Sequence, residues 1–207
     1  MPWNIPGGSA AFGFMPYNAA RGELAQVNMY TVSSSEGQIF PGDVVTLSSI
    51  QGNQIPMVRL LASAGGTLPM VGIAAAGLAA AGGSSGNLTI NTSQLIPVYD
   101  SPDQLFFAND TTSGLIGSTS LGKNVQFSAT AAGSTAANRS GMFLAGATAS
   151  SNAAFPFKVL AIHPLEGVAG YLSTSAPGTG VSTDVRKFIV QPLNHTYAQA
   201  GLILLTT

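Results

Sequence analysis

The chain has 207 residues and 8 acidic against 7 basic side chains, and only 7% of it is charged, where an ordinary soluble domain carries roughly 25%. So few cations exclude a nucleic-acid footprint or a polybasic membrane-surface role, and the absence of cysteine excludes disulfides, thiolate catalysis and thiolate metal sites. At 45% hydrophobic the chain is not a disordered one, and a surface both apolar and uncharged suits a protein that works packed against other protein.

Residues 1–30 read as an extended arm, because Pro2, Pro6 and Pro16 deny helix hydrogen bonds and Gly7, Gly8 and Gly13 weaken any helix around them. The opening residues lack a basic stretch followed by an apolar one, so they do not read as a secretory signal. Large apolar groups stud the arm at Trp3, Ile5, Phe12, Phe14, Met15 and Tyr17. They are candidate anchors on a partner or a sister subunit; the alternative is an arm folded back over its own core. AARGELAQV at 19–27 has the composition for two helical turns.

From about residue 30 the pattern changes to short strands. MYTVSS (29–34) is β-branched and aromatic, and in IFPGDVVTLSSI (39–50) Pro41-Gly42-Asp43 supplies a turn before a strand from Val44. IPMVRLLA (55–62) and LPMVGIAAAG (68–77) follow the same grammar, and NLTINT (87–92) alternates with period two after the Gly82–Gly86 loop. A helix over Ala74–Ala81 is suggested by alanine content and opposed by its glycines. LIPVYD (95–100), QLFFAND (104–110), VQFSAT (125–130), GMFLAGA (141–147), FKVLAIHPL (157–165), VRKFIVQPL (185–193) and GLILLTT (201–207) complete the set. Spacings of about 10 to 15 residues predict an all-β fold, a short-stranded barrel or sandwich over residues 31–207. Residues 82–93 are the natural place for any internal boundary. The 40 residues from Leu60 to Tyr99 carry no charge, so Ser, Thr, Asn and Gln must serve wherever a strand face meets water.

Chemistry is sparse. Gly82-Gly83-Ser84-Ser85-Gly86 fits the G-x-S-x-G pattern, and Asp100, Asp103 or Asp110 and then His163 or His195 follow in hydrolase order. The pattern needs a strand entering a sharp turn and a helix leaving it, whereas NLTINT reads as a strand. His163 and His195 lack a second ligand at short spacing, and the three aspartates match no calcium loop. Asp100-Ser101-Pro102-Asp103 reads as a turn in which aspartate side chains bond backbone N–H groups. Neither an enzyme nor a bound cofactor or metal is expected.

AFGFMP (11–16), MYTVSS (29–34), FPGDVVTLSS (40–49), PMV (56–58) and LPMVGIAAAG (68–77) occur in that order, then VYDSPDQLFFA (98–108), IGSTSLGKN (116–124), RSGMFL (139–144), FKVLAI (157–162) and VRKFIVQPLNHTY (185–197). This series resembles the capsid decoration, or cement, class of head structural proteins of tailed bacteriophages. The resemblance implies a structural virion protein, made in the host cytoplasm and sited on the outer capsid surface. Its partners would be the major capsid protein and further copies of itself in a homotrimer, with no nucleic acid and no membrane. Another virion role, as a tail or spike component, and an enzyme or ligand-binding β-barrel remain as alternatives.

Overall fold

The computed structural model describes residues 13–19, 25–32, 38–50, 56–61, 69–77, 95–110, 118–129, 133, 138–162 and 187–197. The strands are β1 (Met15–Ala19), β2 (Asn28–Val32), β3 (Val44–Ile50), β4 (Pro56–Leu60), β5 (Gly72–Ala74), β6 (Leu95–Tyr99), β7 (Gln104–Asn109), β8 (Asn124–Ser128), β9 (Phe143–Ser150), β10 (Phe157–Ile162) and β11 (Lys187–Pro192), with a 3-10 turn at Ser118–Ser120. The fold is all-β. Of the two helical candidates, residues 20–24 and 78–81 lie outside the described residues; in what remains, Ala19 ends β1, Ala25–Val27 are irregular, and Ala74 ends β5 before the chain bends. Helix propensity is worth under about 1 kcal/mol per residue. Pairing overrides it here, since the Ala74 N–H donates to the Asp43 carbonyl (2.9 Å) and the Ala75 N–H to that of Pro97 (2.8 Å).

Strands β2, β4, β3, β5 and β6 close a barrel in that order, with β2 and β4 parallel at Thr31–Met57 and Val32–Val58 and the other pairs antiparallel. Tyr30, Val32, Ile39, Val45, Val58, Val71, Ala74, Ile96 and Val98 fill it. Period-two alternation is what sends Ile96 and Val98 inward and leaves Leu95 outside. The other strands form a sheet in the order β1-β7-β11-β10-β8-β9. A parallel bridge between Asp110 and Leu144 brings β9 back beside the end of β7, curling this sheet towards a second barrel.

A single core joins the two units. Val44, Leu61, Met70 and Ile73 of the first pack with Phe106, Val125, Phe127, Leu144, Phe157, Val159, Phe188 and Val190 of the second. Adjacent residues Val44 and Val45 thus serve different cores, and β3 and β5 are buried on both faces where they meet the sheet. Each such side chain contributes about 1.5–3 kcal/mol, in a chain with no cysteine to staple it. Gly72 permits the tight β5–β6 seam, because a Cβ there would collide with the Tyr99 carbonyl.

The described part of the segment expected to be an arm is built into this body. Gly13 has φ +75°, and a Cβ on it would lie 2.5 Å from the Ser140 Cβ and 2.8 Å from the Gly42 carbonyl oxygen. Its N–H donates to the Met142 carbonyl (3.2 Å) and that of Phe14 to Gly42 (3.0 Å), so residues 13 and 14 thread between the two units. β1 then pairs antiparallel with β7, and β2 belongs to the first barrel. The arm reading of residues 1–30 therefore fails for 13–19 and 28–30. A boundary at residues 82–93 would likewise cut the first barrel, since β6 closes it from beyond that point.

Candidate functional site

Of the six expected anchors, Trp3, Ile5 and Phe12 lie outside the described residues. Phe14 is a core residue of its own chain, stacked on Phe157 (centroids 4.4 Å apart, planes at 11°) with Phe127 edge-on to both rings. It cannot anchor a partner without leaving that stack. Met15 and Tyr17 do reach the surface: Met15 is half-buried opposite Phe107, and the exposed Tyr17 ring tilts over Phe107 at 4.5 Å. Pro16 brings no N–H to β1 and the register shifts between Pro16 and Ala19, so this sheet edge is a poor template for another strand.

The described residues include a connected polar group that the sequence did not reveal. Asn28 Nδ2 donates to both Asp100 carboxylate oxygens (3.0 and 2.9 Å), and the Tyr30 hydroxyl donates to Asp100 Oδ2 (2.6 Å). With the Tyr30 proton so committed, the Tyr197 hydroxyl is the donor in its 2.8 Å contact with Tyr30. Burial, reinforced by the Asp100 carboxylate, pushes the Tyr30 phenol far above its ordinary pKa. Tyr197 also donates its N–H to Nδ1 of the fully buried His195 (3.2 Å). These hydrogen bonds make the cluster a clasp between β2, the end of β6 and the segment after β11.

The remaining chemical candidates are scattered. Ser84, Ser85 and His163 lie outside the described residues, Asp110 is buried beside the bridge to Leu144, and no group of three or more metal-ligating side chains occurs among the described residues. The turn after β6 is real, and a serine side chain takes part in it. Ser101 Oγ takes the Asp103 N–H (3.4 Å) and the Ser101 carbonyl takes that of Gln104 (3.1 Å), while Asp100 turns away to β2. Asp43 is buried too, with 3% of its surface exposed, and accepts the Phe40 N–H at 2.8 Å.

The surface offers an apolar strip instead. Met29 is 50% exposed on the outer side of β2 opposite Pro97, with Val27 and Leu95 nearby at 44% each. Single exposed apolar residues are ordinary; a run of them across two paired strands, with no charge on either strand, is not. Among the described side chains, Arg59 and Lys123 are the exposed charged ones. No protein-family model, no curated protein and no solved structure matches the chain.

Proposed function

We propose that this chain is a structural virion protein that binds the outside of an assembled phage capsid and cements adjacent major capsid proteins, working as a homotrimer. The observation that carries the reading is the uncharged strip of Met29, Leu95 and Pro97 on β2 and β6, with the exposed Val27 just before β2. Water-exposed apolar area of this kind is worth about 25 cal/mol per Å² once covered. With so few charges about it, contact would rest on apolar burial and backbone hydrogen bonds, and would depend little on salt. The ordered series of motifs from AFGFMP to VRKFIVQPLNHTY supports the phage-head assignment. A binder that engages only the assembled shell stabilises it by mass action, and touching several subunits at once raises its effective concentration.

The test is cosedimentation with expanded capsids at low and moderate ionic strength, using the full chain, a chain lacking residues 1–11, and the double variant Met29→Glu/Leu95→Glu. Removing residues 1–30 would delete Phe14 and β1 and unfold the protein, so the shorter truncation is the informative one. The full chain is expected to bind at both ionic strengths and the double variant to stay folded but unbound. Failure of the full chain to bind refutes the capsid reading, while binding by the double variant refutes the strip as the contact.

A further inference from the structure

The return of the chain from the second unit to the first buries an imidazole. After β11 the Leu193 N–H donates to the Pro156 carbonyl (2.8 Å), and the backbone then runs beside Met70. The Met70 N–H donates to the Asn194 carbonyl (2.9 Å), and the Met70 carbonyl accepts the Thr196 N–H (2.8 Å) and hydroxyl (3.1 Å). His195 forms the parallel bridge with Met70 and exposes no surface. Because Nδ1 accepts the Tyr197 N–H, the neutral ring carries its proton on Nε2, which is buried without a hydrogen-bond partner. The groups facing this ring are the Asp100 carboxylate beyond β6, the Tyr197 ring at 5.7 Å and the Val71 backbone. Beyond them Tyr30 of β2 and Asn28 occupy Asp100.

We propose that His195 is an acid-operated pin for the segment 193–197: a second proton, taken up at Nδ1, replaces an acceptor by a donor opposite the Tyr197 N–H, leaves a cation in a dry site, and undocks the segment from Met70. Burial lowers the His195 pKa below its ordinary value, with Asp100 and the Val71 backbone opposing. The docked ring therefore refuses a proton that the undocked ring accepts below about pH 6.5. Docking is complete above that pH and weakens as pH falls through it, by up to about tenfold per pH unit for one proton. Undocking would also break the Tyr197–Tyr30 contact and open the clasp at Asp100.

The experiment is amide hydrogen exchange on the full chain between pH 8 and 5, corrected for intrinsic rates, read at Met70, Thr196 and Tyr197, with Val159 of the second unit as internal control. Wild type is expected to lose up to about tenfold protection per pH unit below about pH 6.5 at the first three amides and not at Val159. His195→Asn, whose side-chain carbonyl can accept the Tyr197 N–H without titrating, is expected to show no such loss. A flat wild-type profile, or an equal loss in His195→Asn, overturns the proposal. Should His195→Asn fail to fold, NMR titration of the wild-type imidazole, assigned with His163→Gln, decides. A midpoint below the ordinary value coupled to loss of Tyr197 protection upholds the pin, and any titration that leaves that protection unchanged removes it.

Discussion

Replacing Asp43 by asparagine is expected to raise stability at pH 7.5 and to leave it nearly unchanged at pH 3.5. Asp43 sits at the turn into β3, where its Oδ2 accepts the Phe40 N–H, the Ser140 hydroxyl supplies a second hydrogen bond, and its own N–H closes the turn on the Phe40 carbonyl (3.1 Å). Burial outweighs these donors and pushes the carboxyl pKa up from 3.8 to about 6. The sign follows from which state holds the proton. Between these values the folded chain keeps a proton that the unfolded chain has lost, so this group's contribution is fully present below about pH 4 and is lost as pH rises to about 6. At roughly 1.4 kcal/mol per pH unit the swing is about 3 kcal/mol, or roughly 6–12 °C in Tm for a chain of this size. Asparagine keeps an acceptor for the Phe40 N–H and never ionises. Thermal unfolding of both proteins from pH 3.5 to 7.5 gives a difference curve in which every shared titration, that of His195 included, cancels. A difference that stays constant across the range, or a variant less stable at pH 7.5, would refute the reasoning.

Two further outcomes test the core and the clasp. Phe14→Ala empties the stack with Phe157 and Phe127 and is expected to cost about 3–5 kcal/mol in urea unfolding of the free chain; a residue that anchored only a partner would leave that unfolding unchanged. Tyr30→Phe removes the donor to Asp100 and the acceptor of Tyr197, and is expected to cost about 1–3 kcal/mol at pH 7.5. Because the Tyr30 pKa lies above its ordinary value of 10.0, the wild type also loses stability as pH rises past that value, and the variant is expected to lose less.

Strands from β2 onward were legible where their cues are local, whereas β1 was read as arm and the expected strands at 87–92 and 201–207 lie outside the described residues. Pro41-Gly42-Asp43 marks the turn into β3, and the alternation in LIPVY and NVQFS shows which side chains point inward. What the chain does with those strands was not local. β1 pairs with β7 some 90 residues on, and the parallel β2–β4 pair has no signature at all. Phe14 shows the limit plainly: an aromatic in a Pro- and Gly-rich stretch looks the same whether it serves another subunit or its own core. The clasp was hidden for the same reason, because Asn28 and Asp100 are 72 positions apart and Tyr30 and Tyr197 are 167 apart. Spacing rules for sites have nothing to match at such separations.

The run from Leu60 to Tyr99 carries no charge, and in its described residues the fold accounts for much of that lack. Much of the cover comes from the same chain. Leu61, Met70 and Ile73 face the second unit, Val71, Ala74, Ile96 and Val98 face the barrel interior, and β5 is buried throughout. These positions need no partner to explain their lack of charge. Leu95 and Pro97 are different, because they belong to neither core, and Met29 lies opposite Pro97 on the neighbouring strand. Among the described residues, the proposed capsid contact therefore rests on this strip of β2 and β6 and not on composition as a whole. Charges placed there should leave the fold intact and remove the function, whereas charges placed on β5 should destroy both.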